Sequence, residues 1–103
     1  MKEISPVLFF KRYQTTIHLK IIDVRDINEF EKYHIPDAIN IPVKLLYEKH
    51  YLFLNKNRQY FIICKNGTNS HPISEYLDHI GYQVTNVIGG MDRWPGIIMK
   101  GKI

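Results

Sequence analysis

The chain holds one cysteine in 103 residues, Cys64. A lone thiol cannot close an internal disulfide, so folding does not call for an oxidising compartment. No apolar run approaches the roughly 18 residues that cross a bilayer. The opening residues, MKEISPVLFFKRYQ, lack the apolar centre and small-residue cleavage site of a secretory leader. These absences place the expected home in the cytoplasm, with no membrane partner. Blocks of like charge are also missing. Lys11, Arg12, Lys20, Lys44, Lys49, Lys56, Arg58, Lys65, Lys100 and Lys102 are scattered, so the net charge of +4 reads as solvated surface. Nucleic acid would want a concentrated basic stripe, and is not expected as a partner. A mild preference for small anions or acidic partners survives. His18, His34, His50, His71 and His79 show no metal-ligand spacing, and no metal or cofactor is expected.

What is present reads as one α/β domain spanning residues 1–103, with its core at about 15–100. Hydrophobic residues make up 45% and charged residues 23%, ordinary for a folded protein. Ser5 and Pro6 cap a short helix through VLFFKRY. Lys20 to Val24 is an apolar run of strand length. Asp26 and Glu29 have capping-box spacing and open a second helix, which Pro36 ends. Ala38 to Ile41 is a short strand, and Val43 to Tyr47 has helical spacing. Tyr60 to Cys64 is the strongest strand, apolar on both faces as a buried parallel strand should be. In the helix His71 to Ile80, residues Ile73, Tyr76, Leu77 and Ile80 share one stripe, and Gly81 follows as a left-handed cap. Gln83 to Ile88 is a further strand, and Gly89 to Pro95 turns into a last short helix. Alternating short strands and helices predict three α/β/α layers around a small, mostly parallel sheet.

Cys64 is expected to end a central strand, where open α/β sheets bind ligands. Lys65, Asn66, Gly67, Thr68 and Asn69 must then turn the chain into a helix. Gly67 permits backbone angles that other residues avoid. Such a turn can aim backbone N–H groups at one point, and the helix N-terminus adds its partial positive charge there. A thiol in that cradle should ionise more easily than a free one, giving an exposed nucleophile. A small buried hydrophobe is the competing reading of a lone cysteine.

Three segments together resemble the rhodanese-like domain family, over nearly the whole chain. The first is Ile21-Ile22-Asp23-Val24-Arg25, with Glu29-Phe30 and the run His34-Ile35-Pro36-Asp37-Ala38-Ile39-Asn40-Ile41-Pro42. The second is Cys64 through Ser70, similar to the family's active-site loop. The third is Gly81-Tyr82, with Val87-Ile88-Gly89-Gly90-Met91 and Trp94. The resemblance implies sulfur transfer. Cys64 would take a sulfane sulfur from thiosulfate or a protein persulfide and carry it as a persulfide. The loop Lys65, Asn66, Gly67, Thr68, Asn69 and Ser70 would bind the anionic sulfur, and an external thiol would accept it. With no second cysteine, the acceptor must be another molecule.

The chain departs from the family pattern at three places. Lys65 stands where arginine is common, keeping the charge but losing a planar grip on oxyanions. Asn69 stands where a second basic residue is frequent, leaving one fixed positive side chain for a dianion such as thiosulfate. Asp37 replaces a glycine, and tolerates a left-handed backbone better than most residues. Asp23 and Arg25 are expected to hold neighbouring loops rather than to touch substrate. His71 reads as a surface or capping residue, and Trp94 and Met91 as core. Tyr47, Tyr51 and Phe53 are expected to pack under a loop. Two other functions compete. A non-catalytic protein-docking module needs no reactive thiol. A cysteine phosphatase or arsenate reductase would normally carry arginine six residues after the cysteine, where this chain has Ser70.

Overall fold

The computed structural model describes residues 1–101. Its helices start where local chemistry favours them. In α1 (Pro6–Thr15) the Ser5 hydroxyl accepts from the Leu8 amide at 3.2 Å, and Pro6 occupies the first turn, where its missing N–H costs nothing. In α2 (Ile27–Lys32) the Asp26 carboxylate accepts from the Glu29 amide at 3.0 Å. The third helix, α3 (Val43–Phe53), runs beyond Tyr47, with Lys49 off helical geometry in its middle. The fourth, α4 (Ser70–His79), stops before Gly81, whose φ of +106° is open to glycine. Asp37 adopts φ +71°, the left-handed backbone that aspartate tolerates better than most residues.

The strands are β1 (Lys2–Ile4), β2 (Ile21–Asp23), β3 (Ile39–Asn40), β4 (Gln59–Ile63) and β5 (Gln83–Val87). They form one sheet in the order β1-β5-β4-β2-β3, and every neighbouring pair is parallel. Strand β1 has no counterpart in the pattern of the sequence. Its three residues sit at the sheet edge and pair Glu3 with Asn86 and Ile4 with Val87.

Alternation along the strands sends side chains to two separate cores. Ile22, Ile62, Cys64 and Val84 pack with Leu46 of α3 and with Ile73 and Leu77 of α4. Ile21, Phe61, Ile63 and Val87 pack with Phe9 of α1, Phe30 of α2 and Met91. Helices thus cover both faces, as a parallel sheet requires. Each fully buried Ile or Leu contributes roughly 1.5–3 kcal/mol relative to exposure. Trp94, half-buried, closes the second core with its ring centroid 5.0 Å from Tyr13 and 5.6 Å from Phe9. The aromatic group of α3 differs from expectation. Tyr47, Tyr51 and Phe53 lie on its outer side and are exposed, because Leu46 is the helix's buried residue. Among the described residues, no helix is long and apolar enough to cross a membrane.

Candidate active site

Because all strands run the same way, the residues leaving β2, β4 and β5 share one end of the sheet. Cys64 is the residue immediately after β4. Its sulfur meets two backbone donors. The Gly67 amide lies 3.1 Å away and the Ser70 amide 3.3 Å away. The second belongs to the first residue of α4, so the positive end of that helix faces the sulfur. Ser70 Oγ stands 3.1 Å from the sulfur on a third side. Among the described residues, the loop amides that reach the thiol are those two. The Thr68 amide instead donates to Asn66 Oδ1 at 3.0 Å, a local turn of the kind asparagine favours.

Two glycines make this loop possible. Gly67 has φ +88°, and a Cβ there would stand 2.8 Å from the Gly89 amide nitrogen. A Cβ on Gly90 would collide with the Cys64 carbonyl oxygen. That close approach lets the Met91 amide donate to the Cys64 carbonyl and the Asp92 amide to the Lys65 carbonyl, both at 2.8 Å. The glycine pair and the cysteine loop, far apart in sequence, are one packing unit.

Two expectations are corrected. The thiol is not exposed: Cys64 is 2% accessible. The loop that aims its amides inward also folds over the sulfur, and Lys65, Asn66, Thr68 and Asn69 form its exposed outer side. The Lys65 ammonium does not reach the sulfur either. Its side chain is 64% exposed and sits 3.4 Å from Asp92 Oδ1, an exposed ion pair of small worth.

Asp23 and Arg25 lie beside this loop but on the other face of the sheet. Asp23 is fully buried, and the Arg25 guanidinium grips its carboxylate with Nε at 3.0 Å and Nη2 at 2.8 Å. Burial works against the charged guanidinium, but the hydrogen bond to Asp23 and the Asp23 charge outweigh it. Arg25 is held above the ordinary arginine range. Nη2 also donates to the Tyr33 carbonyl at 2.7 Å, tying the end of β2 to the end of α2. Asn40 Nδ2 donates to the Asp23 and Arg25 carbonyls at 3.0 and 2.8 Å. His71 makes a surface pair with Glu75 at 3.1 Å.

The structure adds two residues that sequence reasoning missed. Asn86 is buried on β5 and accepts from the Ser70 hydroxyl at 2.6 Å, and its amide nitrogen stands 3.2 Å from Glu3 Oε2. A signal existed for Asn86. It shares the inward face of its strand with Val84, and a polar side chain there needs a partner.

The family described as the rhodanese-like domain matches residues 9–96, and the chain belongs to it. Two relatives come from Bacillus subtilis (strain 168). "Putative sulfur carrier protein YrkF" is 38% identical over 95 residues, 91% of this chain but 51% of its own length. "Putative sulfurtransferase YtwF" is 35% identical over 96 residues, 93% of this chain and 92% of its own. A crystal structure of a rhodanese-like domain protein from Staphylococcus aureus superposes with a TM-score of 0.89 at 30% identity. It covers 99% of this chain and 100% of that one. A rhodanese from E. coli, solved with anions, superposes at 0.69 with 32% identity, over 80% of this chain and 98% of its own.

Proposed function

We propose that the chain is a sulfurtransferase of the rhodanese type that carries sulfane sulfur on Cys64. The observation that carries this reading is the convergence of the Gly67 and Ser70 amides and the α4 N-terminus on one sulfur. Fixed N–H dipoles around a sulfur stabilise its anion without reorganising. Relatives named as sulfurtransferase and sulfur carrier support the class, as does the anion-bearing E. coli rhodanese.

In the first half-reaction the Cys64 thiolate attacks the outer sulfur of the donor. With thiosulfate, the new S–S bond forms at Cys64, the donor S–S bond breaks, and its electron pair leaves with sulfite. In the second, an acceptor thiolate attacks the outer sulfur of the Cys64 persulfide. The acceptor departs as a persulfide and the Cys64 thiolate returns. No net electrons are consumed, and two-step kinetics with a covalent intermediate are expected. The outer sulfur would stand about 2 Å beyond Sγ, which moves the reacting atom out from under the loop. The Gly67 and Ser70 amides would line the inner side of its cradle, and Lys65, Asn66, Thr68 and Asn69 its outer rim. Donors with less negative charge than thiosulfate, such as a protein persulfide, suit a pocket with Asn69 and an outward-turned Lys65.

Intact-protein mass spectrometry after brief exposure to thiosulfate, and separately to a protein persulfide, tests this reading. A gain of one sulfur atom, absent from Cys64→Ser, is the expected result. The burial of Cys64 favours one second reading, a docking module with an inert thiol. A thiol that neither gains sulfur nor reacts with alkylating reagents near neutral pH would select it.

A further inference from the structure

Ser70 Oγ lies between two partners, 3.1 Å from Cys64 Sγ and 2.6 Å from Asn86 Oδ1. Asn86 Nδ2 faces Glu3 Oε2 at 3.2 Å and the Gly67 carbonyl oxygen at 3.5 Å. The donor and acceptor inventory makes this chain directional. A carboxylate and a peptide carbonyl only accept hydrogen bonds. Both call for the amide nitrogen of Asn86, so Oδ1 must face Ser70. An amide oxygen also only accepts, so the Ser70 hydrogen is committed to Asn86. Lone pairs of the hydroxyl are what remain for the sulfur, and a neutral thiol can donate to them.

The sulfur therefore feels opposed influences. The Gly67 and Ser70 amides stabilise a thiolate, whereas a hydroxyl that accepts from S–H stabilises the thiol. We propose that Glu3 and Asn86 are positioning residues that turn the Ser70 hydrogen away from Cys64, so that the hydroxyl offers the sulfur its lone pairs. Removing Asn86 frees the hydroxyl to turn its hydrogen to the sulfur and become a third thiolate donor, and removing Glu3 loosens the amide, which the longer Gly67 contact alone then orients. The inference rests on the proposed sulfur transfer for its use, since it concerns the same sulfur. The other charged groups on the surrounding elements are engaged elsewhere. Lys65 pairs with Asp92, His71 with Glu75 and Arg25 with Asp23. Lys2 projects to the opposite sheet face from Glu3 by strand alternation. Arg93 packs beside Gly89, and Asp78 and His79 lie at the far end of α4.

The test is the rate of Cys64 alkylation by iodoacetamide as a function of pH, which needs no sulfur donor. In Asn86→Ala the midpoint of the profile should fall by about one pH unit, from the gain of one donor to the thiolate. Glu3→Ala, an exposed substitution, should shift it downward by less. In a Ser70→Ala background, Asn86→Ala and Glu3→Ala should produce no further shift. The proposal is overturned if the midpoint of the folded Ala variants stays put or rises, or if their shift persists without the Ser70 hydroxyl. Should Asn86→Ala fail to fold by circular dichroism, Asn86→Leu, which fills the same buried space without a hydrogen-bonding group, decides. A chain that accepts sulfur from no donor but still alkylates would sink the proposed function and leave this measurement intact, whereas a thiol that the reagent reaches at no pH in any folded variant would overturn both.

Discussion

Two polar clusters sit at the same end of the sheet, after β2 and after β4, and they are built on opposite principles. At the first, Arg25 clamps the buried Asp23 with forked, charge-assisted bonds and reaches on to the Tyr33 carbonyl. The guanidinium hydrogens are fixed in its plane and the carboxylate carries none, so no hydrogen in that pair can rotate. At the second, a thiol, a hydroxyl and an amide are strung between Cys64 and Glu3. There the thiol and hydroxyl hydrogens can rotate. The difference suits the proposed function: fixed charge holds loops in register, and around Cys64 neutral groups on rotatable bonds surround the sulfur.

Substitutions can break that contrast or sharpen it. The largest effect on chemistry is expected from Cys64→Ser, which should abolish the mass gain of one sulfur while leaving urea denaturation nearly unchanged. Asp23→Ala should do the reverse. It strands a buried guanidinium and should cost about 3–5 kcal/mol in denaturant unfolding, with sulfur loading retained by whatever fraction stays folded. Gly67→Ala should affect both clusters' measures at once. Its φ of +88° and the 2.8 Å approach to the Gly89 nitrogen predict a loss of about 1–3 kcal/mol together with slower sulfur loading. Asn69→Arg should raise kcat/KM for thiosulfate several-fold by adding a charge beside a dianion. The gain should shrink with added salt, since exposed charges are screened. The smallest effect belongs to Asp92→Asn. It frees Lys65 from an exposed pair and should move stability by no more than about 0.5 kcal/mol, as read by thermal unfolding.

Much of this architecture was legible in local sequence. Ser5 with Pro6, Asp26 with Glu29, and Gly81 each carry their signal within one helical turn. The apolar run into Cys64 announces a buried strand, and Gly67 announces a tight turn. The motif likeness ordered these pieces into one fold. The features that escaped depend on residues distant in sequence. Strand β1 exists because β5 offers it an edge, and three residues cannot advertise that alone. Lys65 looks like a pocket cation until Asp92 is brought beside it. The thiol looks exposed at a strand end until its own loop closes over it. The link from Glu3 to Asn86 spans most of the chain; Asn86 is marked only as an inward polar residue in need of a partner, and Glu3 is not marked at all.

The contact between Gly90 and the backbone of Cys64 has an electrical meaning as well as a steric one. Met91 and Asp92 hold the carbonyls of Cys64 and Lys65 from behind. Those two peptide groups cannot flip to point an oxygen at the sulfur, where it would repel an anion. The sign of the field that the loop presents to the Cys64 sulfur is thus fixed by a segment distant from it in sequence. A side chain larger than hydrogen at Gly90 would loosen that hold, and the cradle could then turn from attractive to repulsive without losing a single residue of its own sequence.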